Sequence, residues 1–136
     1  MLIFILSSMD RSRDLLMDAE DFLGAAKDLF ERGRWSKVCF NAQQAAELAL
    51  KAVLQKLGME RRTHSLVDLL AELLKHMEEA GNFVDDVKIL DQYYIPTRYA
   101  NAFASGPAKD KYTEQQAKDA IERATKILEW ARRHVL

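Results

Sequence analysis

Apolar residues recur at three- and four-residue steps along almost the whole chain, and this periodicity constrains the fold more than any other feature. Leu15, Ala19, Phe22, Ala26 and Leu29 step by four, three, four and three, with Leu16, Leu23 and Phe30 alongside. That pattern predicts an amphipathic helix over 10–32, about 35 Å long at ~1.5 Å per residue. Gly33 offers a C-terminal stop, and Arg34-Trp35-Ser36 opens a second predicted helix that runs to about Gly58. The two form a hairpin. Val38, Ala42, Ala45, Ala46, Ala49, Ala52 and Val53 give the second helix many alanines, so a neighbouring backbone can come close and the helix belongs at the centre of a bundle.

A basic loop, Met59 to Thr63, leads to His64-Ser65. Leu66, Leu69, Leu70, Leu73 and Met77 then mark a third helix with Ser65 or Thr63 as N-cap and Gly81-Asn82 as its end. Phe83, Val87, Leu90 and Tyr94 predict a shorter fourth helix that must finish before Pro96, because proline lacks a donor and restrains the residue before it. A loop over 97–111 follows. Thr113 with Gln116 makes a capping box for the last helix, along which Ala117, Ala120, Ile121, Ala124, Leu128, Ala131 and Val135 recur. The expected fold is an all-α, up-and-down bundle of about five helices, four long and one short, with residues 1–9 as an N-terminal tail and 10–136 as a single domain.

Composition agrees with this class. With 136 residues, 49% hydrophobic, 30% charged, 5 Gly and 2 Pro, the chain is too apolar for disorder and too poor in turn formers for many strands. Net charge is −1, so any attraction to nucleic acid or an anionic membrane must come from a local patch. One cysteine, Cys39, builds neither an intramolecular disulfide nor a thiolate zinc site, which suits a reducing cytoplasm. The opening run 1–6 is too short to span a bilayer, so no membrane association is expected, and Met9 offers a second translation start. Three histidines without H-x-x-x-H or Glu-x-x-His spacing make no metal site, and no glycine-rich phosphate loop or nucleophile elbow is present. No metal or cofactor is expected.

Three groups of residues carry chemical potential. Gln44, Glu47 and Lys51 share a face of the second helix, either as a solvated stripe with a weak i, i+4 ion pair or as polar groups in a central cleft that need partners. His64, at the start of the third helix, either meets an anion together with first-turn N–H groups or packs against the helix entry. Tyr93, Tyr94, Arg98 and Tyr99 surround Pro96; a guanidinium and phenols there suit phosphate and base recognition, or a closed bundle end. Asp85-Asp86 and Glu78-Glu79 read as solvated faces. The doublets Arg61-Arg62 and Arg132-Arg133 reach phosphate only if the fold assembles them.

The segment from Phe40 through Gln43-Gln44-Ala-Ala-Glu47 to Lys51, followed by His64-Ser65-Leu66 and by Tyr94 to Arg98-Tyr99, resembles the motif series of HEPN domains over nearly all of 10–136. The resemblance implies a helical bundle that homodimerises and is often encoded beside a minimal nucleotidyltransferase in toxin–antitoxin modules. Carried onto this chain it implies a ligand cleft of Gln44, Glu47, Lys51, His64, Arg98 and Tyr99, with Lys51 and Arg98 neutralising the phosphate of a nucleotide or RNA ligand. It implies no catalytic residue here, which puts a binding module ahead of the alternatives, an RNA-cleaving toxin or a purely structural dimerising bundle. HEPN ribonucleases resemble one another in an Arg followed after four to six residues by His, and no arginine stands in that relation to His64, His76 or His134. Arg98-Tyr99-Ala100 also departs from the Arg-Tyr-Pro of many relatives.

Overall fold

A computed structural model describes residues 10–94 and 106–136. Among them the chain forms five α-helices and no strand: α1 (Ser12–Glu31), α2 (Trp35–Lys56), α3 (Leu66–Leu74), α4 (Val84–Asp91) and α5 (Glu114–Val135). Short 3₁₀ turns at Glu78–Phe83 and Ala108–Asp110 interrupt the connections.

The α1–α2 hairpin is set by backbone chemistry at Gly33. Its φ of +71° closes a Schellman motif in which the N–H of Arg34 donates to the Leu29 carbonyl and that of Gly33 to Phe30. Gly58, at φ +83°, ends α2 the same way, with Met59 N–H on the Leu54 carbonyl. Any side chain at these two positions would be strained.

Burial identifies α2 as the central helix. Thirteen of its 22 residues are buried, against five of 20 in α1. Ala42, Ala45, Ala46, Ala49 and Ala52 are inaccessible, as are Ala19 and Ala26 of α1 and Ala117, Ala120, Ala124 and Ala131 of α5. Small side chains on all three helices allow interaxial spacings near the lower end of the usual range, ~8 Å. Leu50, Leu54, Leu66, Leu69, Leu73, Leu90 and Ile127 fill the remaining core. The capping box that opens α5 is present: Thr113 Oγ1 accepts from Gln116 N–H at 3.1 Å, and Gln116 Oε1 accepts from Thr113 N–H at 2.9 Å.

Two details differ from the sequence reading. The third helix stops at Leu74, where the N–H groups of His76 and Met77 both turn back to the Leu73 carbonyl and Met77 adopts extended backbone. Met77 still packs against the core, so its spacing from Leu73 looked helical although it lies past the end of α3 in extended backbone. Among the described residues the bundle therefore has three long helices and two short ones. Asp86 is also not solvated: it lies buried on α4, accepting from Arg123 Nη1 at 2.8 Å and Lys126 Nζ at 3.0 Å, while Arg123 Nε reaches Asp119 at 2.7 Å.

Candidate functional site

A polar cluster interrupts the apolar face of α2. Gln43 follows Cys39 by four residues and precedes Leu50 by seven, which places it on the buried line of the helix, and it is 0% exposed. Its Nε2 donates to the His64 carbonyl at 3.3 Å, and its Oε1 accepts from Gln44 Nε2 at 2.7 Å. Gln44 Nε2 also lies 3.4 Å from Glu47 Oε1. The other carboxylate oxygen of Glu47 takes Lys51 Nζ at 3.0 Å and His64 Nδ1 at 3.0 Å. The Glu47 side chain is 4% exposed, Lys51 18% and His64 56%, so the carboxylate is sealed while its two partners reach solvent.

This geometry fixes the chemistry each group can offer. An ionised carboxylate only accepts hydrogen bonds, so the contact with Glu47 places a hydrogen on His64 Nδ1 and leaves Nε2 for a ligand. Lys51 gives one of its three N–H bonds to Glu47 and keeps two. His64 is further held by stacking: its ring lies nearly parallel to Tyr94, 14° off, at 5.0 Å between centroids, and Phe40 sits 6.3 Å from Tyr94.

The N-terminus of α3 is already occupied by the protein's own anion. Ser65 caps it by accepting from Asp68 N–H, and Asp91 accepts from Leu66 N–H at 2.7 Å and Val67 N–H at 3.0 Å. The first-turn N–H groups that the sequence reading offered to a ligand beside His64 thus serve Asp91. Nothing in the sequence signals this, because the carboxylate comes from 25 residues away.

Two clefts adjoin the partners of Glu47, one at His64 and one at Lys51. Thr63, His64, Ser65, Asp91 and Tyr94 line one of about 390 Å³, and Leu15, Lys51, Gln55, Glu60, Arg61 and Arg62 line another of about 310 Å³. A larger groove of about 550 Å³, lined by Phe30, Glu114, Lys118, Ile121 and Glu122, is formed by other residues and has no such polar cluster. Of the six residues expected to form a ligand cleft, the fold brings together Gln44, Glu47, Lys51 and His64. Arg98 and Tyr99 lie outside the described residues, and so does the expected convergence of Lys51 with Arg98. Gln43 and Asp91 were missed; the first was legible from its place on the buried line.

Cys39 is no nucleophile. Burial pushes its thiol up to about 12, and a buried thiol without a cationic neighbour stays protonated and inert. No helix among the described residues is long and apolar enough to cross a membrane.

The sequence profile of the HEPN domain matches residues 12–134. Solved structures agree. The chain is 40% identical to TT1696 from Thermus thermophilus, with a TM-score of 0.88 over 93% of this chain and 99% of that one. It is 31% identical to ST0689, an archaeal HEPN homologue, with a TM-score of 0.78 over 93% and 98%. A HEPN domain protein from Thermotoga maritima is 31% identical, with a TM-score of 0.71 over 88% and 95%. A more distant relative, 25% identical over 82% of this chain and 79% of its own length, is the Methanocaldococcus jannaschii protein named "Putative toxin MJ1304".

Proposed function

Because the chain belongs to the HEPN domain family, we propose that it is a non-nucleolytic, nucleotide-binding HEPN subunit that works as a homodimer beside a minimal nucleotidyltransferase in a toxin–antitoxin-like module. The observation that carries this reading is the Glu47 cluster. A sealed carboxylate that holds an ammonium and an imidazole at 3.0 Å, with both reaching solvent, orders two ligand-facing groups at the cost of burying a charge on a central helix. Lys51 would meet a phosphate, His64 Nε2 a ribose or phosphate oxygen, and the His64–Tyr94 stack the face of a base. Arg98 and Tyr99 join them as further phosphate and base contacts by their motif positions.

Calorimetric titration with AMP, ADP and ATP tests the binding. Wild type binds at least one of them, and Arg98→Ala weakens it roughly tenfold, since a charge-assisted hydrogen bond is worth about 1.5–3 kcal/mol. Equal affinities, or none, count against the reading. The rival is an RNA-cleaving toxin; the name of the M. jannaschii relative speaks of a toxin and not of RNA. General acid–base cleavage needs paired groups within hydrogen-bond reach of the scissile phosphate, and the family's nuclease spacing of Arg and His is absent here. Purified protein is expected to leave single-stranded RNA uncut; cleavage abolished by His64→Ala would establish the rival.

A further inference from the structure

The α2–α3 loop places the basic doublet Arg61-Arg62 beside Lys51. Among the described residues, these three cations and one carboxylate, Glu60, supply the charge lining the 310 Å³ cleft. Arg61 is fixed: Nη1 donates to the Glu60 carbonyl at 2.9 Å and Nη2 to Glu72 Oε1 at 2.7 Å. That hydrogen bond holds the Glu72 carboxyl below its usual 4.5. A guanidinium has five N–H donors, so Arg61 keeps three. Arg62 is exposed and makes no ion pair among the described residues. Lys51 keeps two donors beyond its bond to Glu47. The protein thus assembles a concave group of cations with most of their donors unspent, Arg61 being oriented by Glu72, a carboxylate it shares with Lys75 and His76.

We propose that Lys51, Arg61 and Arg62 form the phosphate pocket of this protein and take the di- or triphosphate chain of a nucleotide. A volume of about 310 Å³ lies at the lower end of small-ligand sites and suits a phosphate chain better than a whole nucleoside triphosphate. Paired guanidiniums match phosphate oxygens in a planar, multidentate way that lysine alone does not. Glu47 Oε2 bonds both Lys51, which lines the phosphate pocket, and His64, which lines the cleft with Tyr94, and so links the two. The assignment rests on the nucleotide reading for the nucleoside part of the ligand, and on the charges alone for the phosphate part.

The test is calorimetry on the full chain with sodium tripolyphosphate, ATP and adenosine, comparing wild type, Arg62→Gln and the double variant Arg61→Gln/Arg62→Gln. Arg62→Gln removes no internal contact and should keep the wild-type melting temperature. Expected are binding of tripolyphosphate and ATP by wild type, a loss of roughly tenfold in Arg62→Gln and of thirtyfold or more in the double variant, and affinity that falls as salt rises. ATP binding unchanged in both variants would overturn the pocket and leave the nucleotide reading standing. Tripolyphosphate binding lost in the variants, with ATP no tighter than tripolyphosphate, would support the pocket and remove the nucleotide reading. Failure of wild type to bind either phosphate compound would end both.

Discussion

Replacing Glu47 and Lys51 singly and together separates a built cleft from a solvated helix face. On an exposed helix an i, i+4 carboxylate–ammonium pair is coupled by about 0.3–0.5 kcal/mol. Here the carboxylate is 4% exposed and the ammonium 18%, with 3.0 Å between them. A hydrogen bond to a charged group in such surroundings is worth about 1.5–3 kcal/mol, and residual solvent contact at Lys51 discounts this to about 1–2 kcal/mol. Glu47→Gln keeps the shape of the side chain and Lys51→Met keeps most of the aliphatic stem, so neither opens a large cavity. Glu47→Gln also disturbs His64, but that effect is common to both arms of the cycle and cancels in the coupling. Urea unfolding of wild type, the two single variants and the double variant gives the coupling energy directly. For a chain of this length 1 kcal/mol moves the melting temperature by about 3–5 °C, so thermal melts give an independent check. A coupling at or below 0.5 kcal/mol would mean that the pair behaves as surface charge, and the argument from burial would fail.

Three further outcomes follow from groups outside the cluster. Asp86→Ala should destabilise by about 2 kcal/mol in the same unfolding assay, below the usual 3–5 for breaking a buried pair because Arg123 retains Asp119 and Lys126 is more than half exposed; a loss under 0.5 would contradict the buried network. Cys39, its thiol raised to about 12 and its side chain inaccessible, should resist alkylation at pH 8 and react at full stoichiometry in urea, and prompt labelling of the native protein would count against the packing of α2. The Glu72 carboxyl is depressed by its hydrogen bond from Arg61, so the stability it adds is present above pH 4.5 and lost as pH falls through the lower folded-state value. Melting temperatures of wild type and Glu72→Gln should therefore differ by a constant amount above pH 5 and converge towards pH 3; a gap that widens in acid would reverse the sign of the argument.

Much of the fold was legible because helices advertise themselves in one dimension. The alanine run of α2, the stops at Gly33 and Gly58 and the Thr113–Gln116 box are local signals, and the structure uses each one. Met77 misled because the turn that ends α3 returns it to the core at a spacing that an α-helix would also give. Asp86 was hidden for the opposite reason: its neighbour Asp85 is exposed, and only α5, nearly forty residues on, supplies the cations that make its burial tolerable. The candidate site divides the same way. Gln44, Glu47 and Lys51 lie on one helix face and were found from spacing. The reach of Asp91 from the end of α4 to the start of α3 depends on how those two helices pack, and the place of Arg61-Arg62 beside Lys51 on how the α2–α3 loop turns, neither of which a local pattern states.

The central claim is that a ligand-binding cleft is organised around Glu47. Its most direct measurement is a titration of ¹⁵N-labelled protein with ATP, followed by backbone amide shifts. The account predicts shifts concentrated at Glu47 and Lys51, through Arg61, Arg62 and His64, and at Tyr94. Shifts confined to the larger groove at Phe30, Lys118 and Ile121, or no shifts at millimolar ATP, would contradict it.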